Sequence, residues 1–338
     1  MCQYSKCNFG YKNIEMAFPP LGMPWAPQKK QNDKTKRMKT TSIKILSAFA
    51  ALALIAGQSA SAKTVTINAS NSDQTSYFQS QVNQLVDGDT LVLAAGNHYL
   101  SAYINIYFNN GFINGGGSII RKISGSTSGL TLFGNGDHID QIEIDGGGSG
   151  THGPCLAVLN GTGNIITNSR FHNSGDDTGL LLDHTSLDTV QGCACYYNYL
   201  CGISQSACTD QSILDDQMYG NGAEGLTIDN ASHNCTVHNC WVHQNNAGRG
   251  VGGIGIDGSN GANISACTID DSGGNGITFQ NNLNLPDDGC NIHDNPNISN
   301  NGNAAVGIYK NHLVTHLGFS NNTCTGNPGG NGVVVFSQ

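Results

Sequence analysis

Gly225-Leu-Thr-Ile-Asp229 and Gly253-Ile-Gly-Ile-Asp257 are two copies of one phrase: a glycine, three mostly apolar or small residues, then a residue that is usually polar. The phrase reads Gly179-Leu-Leu-Leu-Asp183 and Gly202-Ile-Ser-Gln-Ser206 before them. After them it reads Gly276-Ile-Thr-Phe-Gln280, Gly307-Ile-Tyr-Lys-Asn311 and Gly332-Val-Val-Val-Phe336. Successive glycines stand 23, 23, 28, 23, 31 and 25 residues apart. Self-similarity on that scale marks stacked repeats. The segments are short and rich in branched residues, so they are strands. A second phrase recurs between them, as in Asn164-Ile-Ile, Cys235-Thr-Val-His and Ala262-Asn-Ile-Ser, and then a third, Cys240-Trp-Val or Cys267-Thr-Ile. Two or three short strands per repeat, joined by Gly/Asn/Ser turns, place each strand parallel to its predecessor at about 4.8 Å. The predicted fold is all-β, a parallel β-helix, whose inward faces can be continuously apolar.

Asn173, Asn198, Asn221, Asn245, Asn301 and Asn327 precede the repeat glycines, with Ser272 in the gap, and predict a stacked amide ladder. Glycines in the same places are expected to supply positive φ. Cys193, Cys240 and Cys267 fall at similar places in successive repeats and predict an inward column of small side chains. Cys193 and Cys195 are expected to point to opposite faces of one strand. His172, His238, His243 and His293 read as surface residues at strand ends.

The ends differ from the repeats. Lys39 and Lys44, the apolar run Ile45 to Ile55 and Ala60-Ser-Ala62 are the three regions of a secretory signal over 38–62, with cleavage expected after Ala62. Residues 1–37 show no periodicity and read as a mis-assigned or disordered extension. The apolar run is too short to span a membrane. The domain is therefore expected to be 63–338, secreted or periplasmic. After Asn71-Ser-Asp73, Phe78, Val82, Leu85 and Val86 lie on one helical face, which predicts a helix capping the first coil. From Lys63 onward six basic residues face 22 acidic ones, a net charge of −16. That balance argues against nucleic acid, whose phosphates need clustered Lys and Arg.

Chemistry is sought first at the residue four after each repeat glycine. Strand alternation turns it outward, toward solvent. Asp229 and Asp257 then stand on neighbouring coils about 5 Å apart, and Asp183 lies about 10 Å from Asp229. A close carboxylate pair suits a retaining glycosidase and a wider one an inverting enzyme. Repulsion raises one pKa and prepares an acid. The same oxygens are also candidate calcium ligands, or a solvated ladder without chemistry. Glu224 and Asp177 stand just before repeat glycines as further candidate acids, and Arg249 lies in a glycine-rich loop of the 28-residue repeat. Lys310 has the phase of an inward residue, so the register slips there or the amine is paired.

The helix with Asp87-Gly-Asp-Thr-Leu-Val-Leu-Ala-Ala-Gly-Asn-His-Tyr99 resembles the entry cap of the pectate-lyase-like superfamily. Gly129-Leu-Thr-Leu-Phe-Gly-Asn135 and Ile142-Glu-Ile-Asp-Gly146 are similar to its early coils. The resemblance spans Lys63 to Gln338 and implies a right-handed, exported β-helix acting on an extended polysaccharide. Lyases, hydrolases, epimerases and adhesins all share this fold. Ser174-Gly-Asp-Asp177 resembles the paired-aspartate motif of polygalacturonases, whose other motifs are absent, and Asp183-His184 resembles the active-site run of mannuronan epimerases without its proline. For a lyase the resemblance implies a basic residue, for which Arg249 and Lys310 are the candidates in the central coils. The expected function is polysaccharide degradation by hydrolysis or elimination. A non-catalytic surface or adhesion module and a uronic-acid epimerase are the alternatives. The acidic surface favours a neutral glycan, or calcium bridging to a charged one.

Overall fold

The computed structural model describes residues 61–246, 252–280, 285–309 and 312–336. The expected signal lies outside them, apart from its last two residues. Among the described residues the chain winds into a solenoid with three strand columns. One column is an eleven-stranded parallel sheet from Thr64–Ile67 to Gly318–Ser320. The other two belong to one sheet of nineteen strands, made continuous by Gly96–Ile106 and Ser118–Leu132, which run around the corner between both columns. The repeat phrases form the third column, with Leu180, Ile203, Leu226, Ile254 and Ile277 in direct register. These residues, and Leu182, Ile228, Ile256 and Phe279 two positions on, are fully buried. Their stacking fills one continuous core.

The repeat glycines are not at left-handed corners. Gly179, Gly202, Gly225, Gly253 and Gly276 carry no positive φ. They are needed because coils approach closely there: a Cβ on Gly225 would lie 2.5 Å from Val242 Cγ1 and 2.8 Å from Asn245 Nδ2. The left-handed corners fall instead on polar residues such as Asn168 (φ 51°) and Asn239 (φ 54°). Gly307 is out of phase by two, since it pairs with Thr278 and not Gly276. The register does slip before Lys310, and Tyr309, not Asn311, follows Gln280 in its column.

The amide ladder is present. Asn198 Nδ2 donates to Asn221 Oδ1 at 3.0 Å, Asn221 to Asn245 at 2.9 Å, and Asn301 to Asn327 at 3.1 Å. Asn173 stands outside it with φ 57°, and Ser174 takes its place, its N–H donating to Asn198 Oδ1. Acidic rungs stand at two other corners, one before the eleven-stranded sheet and one before the nineteen-stranded sheet. Gly111 N–H donates to Asp137 Oδ1 at 2.8 Å and Cys193 N–H to Asp216 Oδ1 at 2.6 Å. Both carboxyls are buried, and their Oδ2 atoms have no hydrogen-bond partner. Burial pushes Asp137 up to about 7 and Asp216 well above the carboxylate range.

All ten cysteines after Ala62 are free, and Cys193, Cys240 and Cys267 are buried as expected. Cys195 is buried too, against expectation. Cys193 precedes the strand Ala194–Tyr196, and the bend at Gly192 (φ 66°) turns both sulfurs inward. His172 is likewise buried: it stacks on Tyr196 at 4.6 Å and bonds Glu143 Oε1 at 3.2 Å. The capping helix runs Thr75–Val82, with Phe78 and Val82 inward and Asp73 Oδ1 accepting from Thr75 N–H at 2.9 Å. It ends before Leu85, so Leu85 stays buried while Val86 turns out, 61% exposed.

Candidate functional site

Asp229 pairs with Ser206 on one side and Asp257 on the other, so the two aspartates are one ladder step apart. The expected solvent exposure is overturned for Asp257, while Asp229 is half-buried. Asp257 is 6% exposed, Thr227 beside it on the same outward face is 8% exposed, and Asp229 Oδ1 is buried without a hydrogen-bond partner. The cover comes from later coils. Leu285 packs over Gly258, where an added Cβ would lie 2.6 Å from its own Cβ. Gln280 Nε2 crosses Gly255 to donate to Glu224 Oε1 at 2.6 Å, a contact 56 residues apart in sequence. Cys201 Sγ donates to Glu224 Oε2 at 3.6 Å.

This environment sets the protonation states. Burial holds Asp229 well above the usual carboxylate range, and the neighbouring Glu224 and Asp257 charges add to it. Burial also raises Glu224, against the pull of its backbone and Gln280 bonds. The Tyr309 phenol is raised by burial and then by Glu224. Asp229 thus holds its proton more tightly than an ordinary carboxyl, and a second carboxyl stands one step away.

The structure brings Glu224, Asp229 and Asp257 together and separates the other candidates. Asp183 is two coils away and engages its neighbour, His184 Nδ1, at 2.8 Å. Asp177 belongs to a different cluster. Its Oδ1 accepts from Thr178 N–H at 2.7 Å, and burial raises its pKa, opposed by Lys122. Lys122 is buried and donates to the carbonyls of His152 at 3.1 Å and Gly153 at 2.6 Å, so it braces a turn. Asp176, the other half of the aspartate pair, holds His152 Nδ1 at 2.5 Å and Gly153 N–H at 2.9 Å. Arg249 and Lys310 lie outside the described residues. Among the described residues no group of three or more His, Cys, Asp and Glu has the arrangement of a metal site.

Sequence reading gave no role to Gln280 or Tyr309. Gln280 stood in the recurring polar place, a usable signal; Tyr309 was hidden by the two-residue slip at Gly307.

The family described as right handed beta helix region matches residues 104–252. No curated protein matches. Among solved structures, the enzymatically active domain of tailspike protein 2 from bacteriophage CBA120 aligns at a TM-score of 0.59 with 17% identity, over 75% of this chain and 41% of its own. Pectate lyase Pel9A aligns at 0.51 with 15% identity, over 79% and 78%. The Agl-KA catalytic domain aligns at 0.51 with 15% identity, over 76% and 57%. The chain thus spans less than half of the tailspike domain it matches. With the three-column coil, these likenesses show the fold of a right-handed parallel β-helix.

Proposed function

We propose that the chain is an exported glycoside hydrolase acting on an extended, neutral glycan. The observation that carries this reading is the raised pKa of Asp229, one ladder step from Asp257. Carboxyl groups about 5 Å apart suit the retaining reaction. Asp229 protonates the departing glycosidic oxygen while Asp257 attacks the anomeric carbon, giving a covalent glycosyl ester. Asp229, now ionised, then takes a proton from the water that opens the ester. Glu224 is a positioning residue whose nearby charge adds to burial in raising Asp229, with Gln280 fixing its carboxyl. The outward columns running through Asp229 and Thr227 contain no Lys or Arg among the described residues, which favours a neutral substrate over a polyanion. The enzyme and lyase domains to which the fold is similar support a carbohydrate-directed role, and the expected signal supports export.

A panel of neutral and uronic glycans, read for new reducing ends and for absorbance of unsaturated ends, tests this. Wild type is expected to release reducing ends from a neutral glycan, and Asp229→Asn to lose about 10²–10⁴-fold in turnover. Unsaturated ends would replace hydrolysis by elimination. Binding without cleavage would favour the adhesion module.

A further inference from the structure

We infer that the stacked pair Tyr107 and Phe133 forms a distal subsite of the same glycan track, gripping a sugar ring several units from the carboxylates. This rests on the hydrolase reading above, because it takes the chain cut at Asp229 as its occupant. The placement follows from register. Ile106, Leu132, Val158, Leu182, Gln205 and Ile228 are successive ladder partners. One residue further on, the outward column reads Tyr107, Phe133, Leu159, Asp183, Ser206 and Asp229. Phe133 N–H donates to Ile106 carbonyl at 2.9 Å, which keeps that register beyond the strand ends. Phe133 is four ladder steps from Asp229 and Tyr107 five, about 19 and 24 Å at ~4.8 Å per step. A pyranose ring is about as long as one ladder step, so an oligosaccharide lying along this column reaches both places at once.

The aromatic pair has the form of a sugar platform. The rings are nearly parallel, 9° apart, with centroids at 4.9 Å. Tyr107 is 64% exposed, far more than core packing requires. It borders a groove of about 600 Å³ between the end of the capping helix and the sheet, where Val86, Asp87 and Asn105 form the rim. An aromatic face is electron-rich and takes the C–H face of a pyranose, while the flanking amide and carboxylate suit its hydroxyls. The groove opens onto the same outward face as the Asp229 column, since Asn105 and Tyr107 lie on one strand face with Thr131 and Phe133. The platform carries no positive charge, in keeping with a neutral glycan.

The test is a chain-length series of the neutral oligosaccharide that wild type cleaves, with Tyr107→Ala and Tyr107→Phe. Tyr107→Ala is expected to lower kcat/KM about tenfold for chains long enough to span five ladder steps, to leave shorter ones unchanged, and to keep wild-type Tm. Tyr107→Phe retains the platform and is expected to behave as wild type. An equal loss at every length, or none at any length, overturns the subsite while leaving the hydrolase reading intact. If wild type cleaves no glycan, the hydrolase reading fails instead. Affinity electrophoresis in long neutral glycans then decides the platform: weaker retardation of Tyr107→Ala supports it, and equal retardation overturns it.

Discussion

Asp137 and Asp216 face into the solenoid and Asp229 and Asp257 face out of it, yet burial pushes Asp137, Asp216 and Asp229 up alike. What separates the two regions is anchoring. Each interior carboxyl accepts a backbone N–H from the preceding coil and recurs where an amide recurs elsewhere; Asn164 Oδ1 takes the N–H of Asp137 in the same way. They are rungs of two separate ladders. Asp229 Oδ1 has no partner, and Glu224 is held by a side chain from two coils on. A raised pKa alone therefore identifies burial, and it is the anchoring of the carboxyl that distinguishes the interior rungs from Asp229.

The comparison breaks if the two regions respond alike to loss of charge. Asp257→Asn is expected to cut turnover of any cleaved glycan by orders of magnitude, whereas Asp137→Asn and Asp216→Asn leave kcat within about twofold. Equal losses in a steady-state assay would show that the interior ladders shape the site. Next in size is the loss of a rung. Asp216→Ala leaves the Cys193 N–H unsatisfied and costs about 1–3 kcal/mol in denaturant unfolding. Asp216→Asn, which can accept that bond and stay neutral, raises Tm at pH 8 by about 2–4 °C if it gains ~1 kcal/mol.

The sign of the pH dependence follows from the same groups. Asp137 binds its proton more tightly folded, at about 7, than unfolded, near 3.8. Its contribution to stability is full below about 4 and lost as pH rises through about 7. Wild-type Tm is thus expected to fall between pH 4 and 8 from this group, and the fall should shrink in Asp137→Asn. The smallest effect sharpens the outward side. Glu224→Gln removes a charge beside Asp229, so Asp229 ionises sooner and the alkaline limb of activity moves to lower pH by about one pH unit. An unmoved limb with a reduced plateau would mean Glu224 has only a packing role.

The coil was legible because Leu226, Ile228 and their counterparts obey one period, and inward stacking admits only that pattern. The pairing of Asp229 with Asp257 was legible for the same reason. Their cover was not, since the residues that supply it, Gln280 and Leu285, come after the 28-residue repeat, whose extra residues have no period. Asp177 looked equivalent to Glu224 from its place before a glycine. It lies one residue further from that glycine, which turns it into the Lys122 cluster. Buried Lys122 gave no periodic signal, because it sits in the long corner strand of the early coils.

Those two corner strands have a mechanical consequence. Coils beyond Leu159 meet their neighbours through strands of two to six residues, so each can be peeled from the stack by breaking a few bonds at a time. Strands of 11 and 15 residues, joined along both columns, must be sheared over their whole length. Pulled from the C-terminal side, the solenoid is expected to yield in small steps that follow the coil lengths, about 80 Å for a 23-residue coil and about 105 Å for the 31-residue one. The force should then climb at the corner strands. The N-terminal coils act as the anchor from which the rest of the rod is paid out.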